Sequence, residues 1–345
     1  MAEGMIARPV LRSLLLTAFV AAIACGSTPS TAPSPTPTPV TSFVATGRAV
    51  DALTQAGYGG LTISGDGLQT SSSDVTGAFT IAAGTPASDP RLVLFAGPAV
   101  VERRTNVRVP GAPISVSLIS SGFDLNAFNQ MLRASSQLQR WTTAPPLLIE
   151  TRALQFTTVG AADQVALSDQ MTDAEVAALA DDLTWALPQM TGGTFPAFAG
   201  VSRQTSAEGT SVHILNPGVI TVTRVVGLNA TAGFWGYSRW LFQPDGTVTG
   251  GMITLDRDFE RSGSPFRRSL RSHELGHALG YNHVTSRPSV MNSAAVIEPN
   301  AFDLDACRIA FARAPGNRPP DSDPSNASLN SRALGGPARW SEPIR

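Results

Sequence analysis

Short apolar runs separated by polar breaks characterise the sequence from Phe43 to about Ile119. Runs at 43–50, 60–63 and 78–81 are bounded by Gly, Asp and Ser. This spacing predicts the strands of an antiparallel β-sandwich. The stretch contains no His or Cys and no obvious pair of acids. We therefore interpret residues 43–120 as an accessory domain whose partner the sequence does not reveal.

The later part of the chain mixes helical and strand patterns. Thr172 and Glu175 form a capping-box pattern ahead of apolar residues at helical spacing, which predicts a helix that ends at Pro188. A second helix is expected to begin near 264–265, where Ser precedes Pro. A connecting helix is expected within 122–140, and strand-like runs lie at 146–150, 219–226 and 250–256. The pattern predicts an α+β domain over 121–315.

Composition excludes several classes of protein. The chain has 345 residues, 42% of them hydrophobic, which is enough for one or two domains with buried cores. The net charge is −1 and all 25 basic residues are Arg, so no basic field is present to bind nucleic acid. Two cysteines exclude a disulfide scaffold. Residues 316–345, rich in Pro, Ser, Asn and Gly, are expected to form a disordered tail.

The N-terminus has the features of an export signal. Arginines precede a short apolar run, so residues 1–24 are interpreted as a signal peptide. The run ends in Ala-Ile-Ala-Cys25, which resembles the lipobox of bacterial lipoproteins. Residues 25–42 would then be a lipidated cysteine and a Pro/Ser/Thr-rich tether. We expect an exported protein, lipid-anchored through Cys25 at the bacterial cell envelope or surface or released from it; an ordinary secretory signal is the alternative.

Three of the four histidines lie within eleven residues, in the pattern H-E-x-x-H-x-x-G-x-x-H. On a helix, His273 and His277 are one turn apart and point the same way, so both can bind one metal ion. Glu274 is rotated about 100° away, outside the ligand set but within reach of a metal-activated water. Gly280 favours a left-handed turn after which His283 returns to the site.

Three imidazoles leave one coordination position open, which is typical of catalytic zinc. The structural alternative is that the histidines are only hydrogen-bonded polar residues on a helix. A further alternative is a zinc site that no longer catalyses. Such a site would not need the glutamate of the motif and would be expected to have lost it. The presence of Glu274 favours catalysis.

The extended motif resembles that of the metzincin metalloproteases. Met291, within Ser-Val-Met-Asn at 289–292, fits their Met-turn, and its spacing of eight residues from His283 is similar to that of matrixins. Residues 299–311 resemble the matrixin C-terminal helix, and 250–256 resembles the strand before the active-site helix. Cys307 lies in this predicted helix and is expected to be a buried thiol. Segments 47–51 and 76–81 resemble the carboxypeptidase-regulatory, transthyretin-like type of β-sandwich.

The resemblance implies a zinc endopeptidase whose domain has a twisted mixed sheet, an active-site helix, a Met-turn and a C-terminal helix. One zinc ion would be held by His273, His277 and His283, with Glu274 as the general base for a metal-activated water. By the same resemblance, a polypeptide substrate would lie along an exposed edge strand, with 232–237 as the candidate segment. The alternative is that Phe234, Trp235 and Tyr237 in this segment are core residues.

The sequence also departs from the family pattern. Val284 stands where matrixins usually have Ser or Thr, and Asn292 stands where other branches carry a tyrosine near the metal. His213 is isolated, so one zinc ion rather than two is expected. Asp256 and Asp258 are candidates for a calcium loop, against the more common alternative of solvated acids.

Two other functions remain open. The chain could be a surface adhesion or scaffold lipoprotein whose zinc domain is vestigial or processes only itself. It could also be a zinc amidase that acts on cell-wall peptides, although that class does not usually carry the extended motif. Cleavage of a generic unfolded protein distinguishes the endopeptidase from both.

Overall fold

The computed structural model describes residues 42–293 and 297–325, and the backbone of 338–344. The expected signal peptide, the lipidated Cys25 and nearly all of the tether lie outside these residues. Within the part described, no helix combines the length and the apolar character needed to cross a membrane.

Residues 43–118 form two four-stranded sheets that enclose one apolar core. Phe79, Ile81 and Phe95 are among the buried side chains between them. The first sheet contains, in order, β3 (Leu68–Gln69), β5 (Ala78–Ala83), β1 (Phe43–Asp51) and β8 (Ile114–Leu118). The second contains β4 (Ser71–Ser72), β2 (Thr62–Gly65), β6 (Arg91–Ala96) and β7 (Arg103–Val107).

The expectation of a wholly antiparallel sandwich is wrong at one pair of strands. β8 runs parallel to β1, with Gly47 opposite Ile114. The chain passes through β6 and β7 in the second sheet before it returns as β8, so no hairpin turn forces β8 to run against β1.

A nine-stranded mixed sheet follows within the described residues. Its order is β13 (Ser211–His213), β11 (Asp163–Gln170), β10 (Arg152–Gln155), β14 (Ile220–Val226), β16 (Val248–Asp256), β15 (Gly236–Phe242) and β17 (Ala338–Ile344). β9 (Leu147–Glu150) pairs with β14 next to β10, and β12 (Val201–Gln204) pairs with β9. β12, β9, β14 and β16 are parallel, and β15 is antiparallel to β16.

Both faces of the central strands are buried. Val222 and Ile253 point into the core shared with the helices, whereas Val225 and Met252 point into a second core on the opposite face. Strands covered on both faces read as nearly continuous apolar runs, which explains why 219–226 and 250–256 were recognisable in the sequence.

Six helices lie among the described residues: α1 (Leu125–Arg133), α2 (Asp173–Met190), α3 (Leu228–Ala232), α4 (Arg257–Arg261), α5 (Arg267–Ala278) and α6 (Ala301–Phe311). The predicted capping box of α2 is confirmed, since Thr172 and Glu175 each bond the other's backbone. The prediction that Pro188 ends this helix is wrong by two residues. Side chains provide hydrogen-bond donors for carbonyls in the last turn of α2. The Thr191 hydroxyl donates to Leu187 O, and the Tyr281 hydroxyl donates to Met190 O.

Helix α5 begins at Arg267, slightly after the expected start at 264–265. Phe266 occupies the N-cap position and makes no side-chain cap bond. The Ser264 hydroxyl instead accepts the Phe266 amide at 3.2 Å, so it closes the turn that leads into the helix.

The expected disordered tail, 316–345, is wrong for the residues that the structure describes. Asp321 is fully buried and binds Arg313 at 2.8 Å, Arg103 at 3.0 Å and Arg133 at 3.2 Å. Asp323 also binds Arg103, at 2.9 Å. Charges buried in this way need partners, and the arginines provide them. We call these five residues the arginine cluster. Further along, the backbone of 338–344 forms β17.

Candidate metal centre

Helix α5 carries the first part of the histidine motif and is fixed by a buried ion pair network. Arg271, only 4% exposed, binds Asp182 of α2 at 2.7 Å and also bonds Glu260 of α4. These contacts hold α5 against α2 and α4. The helix can therefore present His273 and His277 at a defined position in the core.

A glycine turn ends α5 and reverses the chain. The Tyr281 amide donates to Gly276 O at 3.0 Å, and the Gly280 amide donates to His277 O at 2.9 Å. These are the two bonds of a Schellman motif, and Gly280 has the positive φ that it requires, 107°. The chain then brings His283 back beside the helix. Gly280 thus takes the turn position that the sequence predicted for it.

The three histidines converge on one point. Their Nε2 atoms are 2.9 Å apart between His273 and His277, 3.2 Å between His277 and His283, and 3.3 Å between His283 and His273. Within the described residues, no other group of three or more His, Cys, Asp or Glu side chains meets in a way that could hold a metal ion.

Hydrogen bonds at the opposite ring nitrogens fix the tautomers of two histidines. Nδ1 of His273 lies 2.6 Å from Val290 O, and Nδ1 of His277 lies 2.7 Å from Tyr281 O. A carbonyl oxygen only accepts, so each Nδ1 carries the proton and each Nε2 presents a lone pair. Lone pairs that face each other repel, and a shared cation removes the repulsion.

This donor set fits zinc. Tetrahedral zinc with bonds of about 2.0–2.1 Å places its nitrogen ligands about 3.3–3.4 Å apart, close to the observed separations. Burial, together with repulsion from the neighbouring imidazoles, lowers the pKa of His273 well below its ordinary value and that of His277 to about 3. Neutral imidazole is the form that binds metal.

Glu274 lies beside the histidines and is fully buried. Its Oε2 accepts the Ser238 hydroxyl at 2.7 Å, whereas Oε1 has no hydrogen-bond partner among the described residues. Burial raises the pKa of Glu274 to about 8, although the Ser238 bond acts in the opposite direction. Gly236 leaves room for the carboxylate, because a Cβ there would lie 2.7 Å from Oε1.

A tight turn places Met291 beneath the motif helix. The Asn292 amide donates to Ser289 O at 3.0 Å, which closes the turn, and Met291 is fully buried. A Cβ on Gly276 would lie 2.4 Å from the Met291 sulfur, so the methionine packs directly against the helix between the two histidines.

Asp303 holds this turn, a role that we did not predict from the sequence. Its Oδ2 accepts the Val290 amide at 2.9 Å, and its Oδ1 accepts the Ser289 hydroxyl at 2.5 Å. The carbonyl of Val290 in turn bonds His273. A local signal for Asp303 was present, since Asn300 and Asp303 form a capping box at the start of α6.

Ser238 and Trp240 on β15 are the other residues that sequence reasoning missed. Ser238 bonds Glu274, and the Trp240 ring lies nearly parallel to that of His277, with 5° between the planes and 6.2 Å between the centroids. These contacts join a strand to a helix over long separations in the chain. No local pattern in the sequence marks them.

The proposed edge strand lies later in the chain than expected. Of the segment 232–237, Ala232 ends α3 and only Gly236 and Tyr237 belong to β15. Phe234 and Tyr237 are core residues, the alternative that the sequence left open. The strand itself continues to Phe242.

The remaining candidate residues are not part of the group formed by His273, His277 and His283. Asp256 accepts the amides of Phe259 and Asn229, each at 2.9 Å, while Asp258 pairs with Arg257, so these two acids have protein partners in place of a metal ion. His213 is exposed and bonds Asp163. Cys307 is fully buried in α6.

Comparison with known proteins finds no matching family model and no matching curated protein.

Proposed function

We propose that this protein is a zinc-dependent endopeptidase of the metzincin type, similar to matrixins. The observation that carries the proposal is the convergence of three Nε2 atoms next to a buried carboxyl group that has one oxygen without a hydrogen-bond partner among the described residues. A structural zinc site has four protein ligands, whereas three neutral ligands with an adjacent acid are typical of hydrolytic sites.

The arrangement of elements supports the same proposal. A mixed sheet, the motif helix α5, the methionine turn and the closing helix α6 are all present in the order that the resemblance implies. The turn and α6 are joined through Asp303, so the element that lies under the histidines is rigidly held.

The chemistry expected of the site is amide hydrolysis. When bound by His273, His277 and His283, zinc supplies a Lewis acid that polarises the scissile carbonyl. Glu274 would take a proton from the attacking water while the water oxygen forms its bond to the carbonyl carbon. The same carboxyl then delivers the proton to the amide nitrogen as the C–N bond breaks.

The substrate in this proposal is an extended polypeptide that pairs with β15. This strand carries Ser238, which bonds Glu274, so a peptide added along it passes next to the reacting groups. Export and anchoring through Cys25 at the cell envelope are part of the proposal and depend on the N-terminal sequence alone.

The decisive experiment uses one purified sample of the chain that begins at Cys25. Zinc is measured by elemental analysis, and hydrolysis of unfolded casein is followed with and without a chelator. We expect one equivalent of zinc and cleavage that the chelator abolishes. Glu274→Gln should keep the zinc and lose the cleavage, whereas the exposed control Glu208→Gln should change neither.

Two outcomes would contradict the proposal. Undiminished cleavage by Glu274→Gln would exclude the carboxylate as the base. Bound zinc without cleavage of any polypeptide would favour a scaffold lipoprotein, or an amidase if cell-wall fragments were cleaved instead.

A further inference from the structure

The C-terminal strand β17 lies along the outer edge of β15. The two strands are antiparallel and pair over seven residues, from Gly236 opposite Ile344 to Phe242 opposite Ala338. β15 is the same strand to which the proposed function assigns the substrate. The protein therefore places its own C-terminal segment where an extended peptide would bind.

The register shows which backbone groups of β15 are involved. The Asp256 amide donates to Trp235 O at 2.7 Å, so the odd-numbered residues of this strand direct their backbone groups toward β16. By alternation, Gly236, Ser238 and Trp240 direct theirs outward, toward β17. Pro343 is consistent with this register: it lies opposite Tyr237, at a position where no N–H is needed.

The residues that pair outward are also the residues that border the site. Ser238 bonds Glu274, Trp240 lies parallel to His277, and Gly236 gives the carboxylate its room. In the register, Glu342 lies opposite Ser238 and Trp340 lies opposite Trp240. Backbone pairing by β17 thus takes place immediately next to the histidine cluster.

We propose that the C-terminal strand is an intramolecular ligand of a peptide-binding edge, and that it must leave before an extended polypeptide can bind. A strand edge pairs with one partner at a time, so β17 and a substrate compete for the same N–H and C=O groups. The proposal rests on the proposed function for the identity of the competing peptide.

A tethered segment competes strongly even if its own affinity is low. Twelve residues, 326–337, separate β17 from the preceding described segment. A short tether gives an effective concentration of about 1 mM. If the free peptide bound with a Kd of about 100 μM, the tethered strand would spend about ten times as long bound to the edge as unbound. Removal of the strand should therefore raise kcat/KM about tenfold.

The test compares the mature chain with a version that ends at Pro337. Two point variants distinguish the loss of backbone pairing with β15 from the mere presence of a new proline in β17. Trp340→Pro removes an N–H that faces β15, whereas Ser341→Pro alters a position whose N–H faces away and serves as the matched control. Hydrolysis of a short peptide is measured for all four. In addition, the binding of a labelled 338–345 peptide is measured by fluorescence anisotropy.

We expect the truncation and Trp340→Pro to raise kcat/KM about tenfold, and Ser341→Pro to leave it unchanged. The labelled peptide should bind the truncated chain saturably and the full chain weakly. The same peptide with Trp340→Pro should bind neither.

Equal kcat/KM in an active full chain and its truncated form would overturn the proposal. It would also fail if the truncated chain associated with itself and gained no activity, since β17 would then only cover an edge. If no form hydrolysed peptides, the proposed function would fail, and peptide binding would decide alone. Saturable binding would support a peptide-binding edge, and its absence would exclude one.

Discussion

Ser238 on β15 donates a hydrogen bond of 2.7 Å to Glu274 on α5, from a position 36 residues earlier in the chain. A typical intramolecular hydrogen bond contributes about 0.5–1.5 kcal/mol. It therefore fixes the direction of the carboxylate in a site where Oε1 must remain available. Both the strand edge and the helix contribute to the placement of the Glu274 carboxyl group.

We expect Ser238→Ala to lower kcat about tenfold while zinc content stays at one equivalent, because about 1.4 kcal/mol of positioning energy is lost. Ser168→Ala, at an exposed position, is the matched control. The measurement is steady-state kinetics with metal analysis. An unchanged kcat would show that the hydroxyl does not position Glu274, and loss of zinc would indicate a structural defect instead.

Asp303→Asn should weaken zinc binding about 10- to 100-fold, as losses in the outer shell of metal sites commonly do. Asp303 holds the Val290 amide, and the Val290 carbonyl holds His273. The affinity can be measured by competition with a chromophoric chelator. Asp305→Asn, on the same helix with an exposed ion pair to Arg308, should leave the affinity unchanged. Equal zinc affinities for the two variants would show that Asp303 does not contribute to metal binding.

The ionised carboxylate of Glu175 should stabilise the folded protein, and this stabilisation should be lost in acid. Partial burial raises its pKa, but bonds from the Thr172 amide, Arg261 and Arg224 lower it from 4.5 to about 2. A depressed pKa favours the native state above pH 4.5, and this stabilisation is lost as the pH falls toward 2. Glu175→Gln should therefore cost about 1–2 kcal/mol at pH 7 and progressively less below pH 4.5.

Urea unfolding at pH 7, 4 and 3 measures this difference, with the exposed Glu208→Gln as the control. A difference between Glu175→Gln and the parent chain that stays constant over this range would mean that the carboxylate charge plays no part.

Asp321→Asn should lower the free energy of unfolding by about 3–5 kcal/mol, because it removes a charge from a buried ionic group. The nearby arginines lower the pKa of Asp321 despite the opposing effect of burial, so the residue is ionised in the native state. Chemical denaturation measures the loss. Asp66→Asn, on the exposed surface of the sandwich, should change stability by less than about 0.5 kcal/mol. A similarly small effect at Asp321 would contradict the assigned role.

The features that the sequence predicted are local in the chain. The capping box of α2 needs only Thr172 and Glu175, and the histidine motif needs one helix and the turn at Gly280. In each case a few consecutive dihedral angles determine which side chains meet. For this reason the convergence of the histidines could be anticipated without knowledge of the surrounding fold.

The features that were missed depend on contacts between distant segments. Asp321 meets Arg103 across 218 positions, and the composition of its surroundings is that of a disordered tail. Strand β17 lies in the same stretch, and its pairing requires the edge that β15 presents. Neither the buried charge nor the available edge has a local signature.

The arginine cluster limits how freely the parts of this protein can be exchanged. Arg103 belongs to the sandwich, Arg133 to α1, and Arg313 follows α6, yet all three bind Asp321. If a different sandwich replaced residues 43–118, Asp323 would lose its ion pair with Arg103, while Asp321 would lose one of its three arginine partners and keep Arg133 and Arg313. A replacement sandwich would therefore have to supply a buried cation at the position of Arg103 to pair with Asp323.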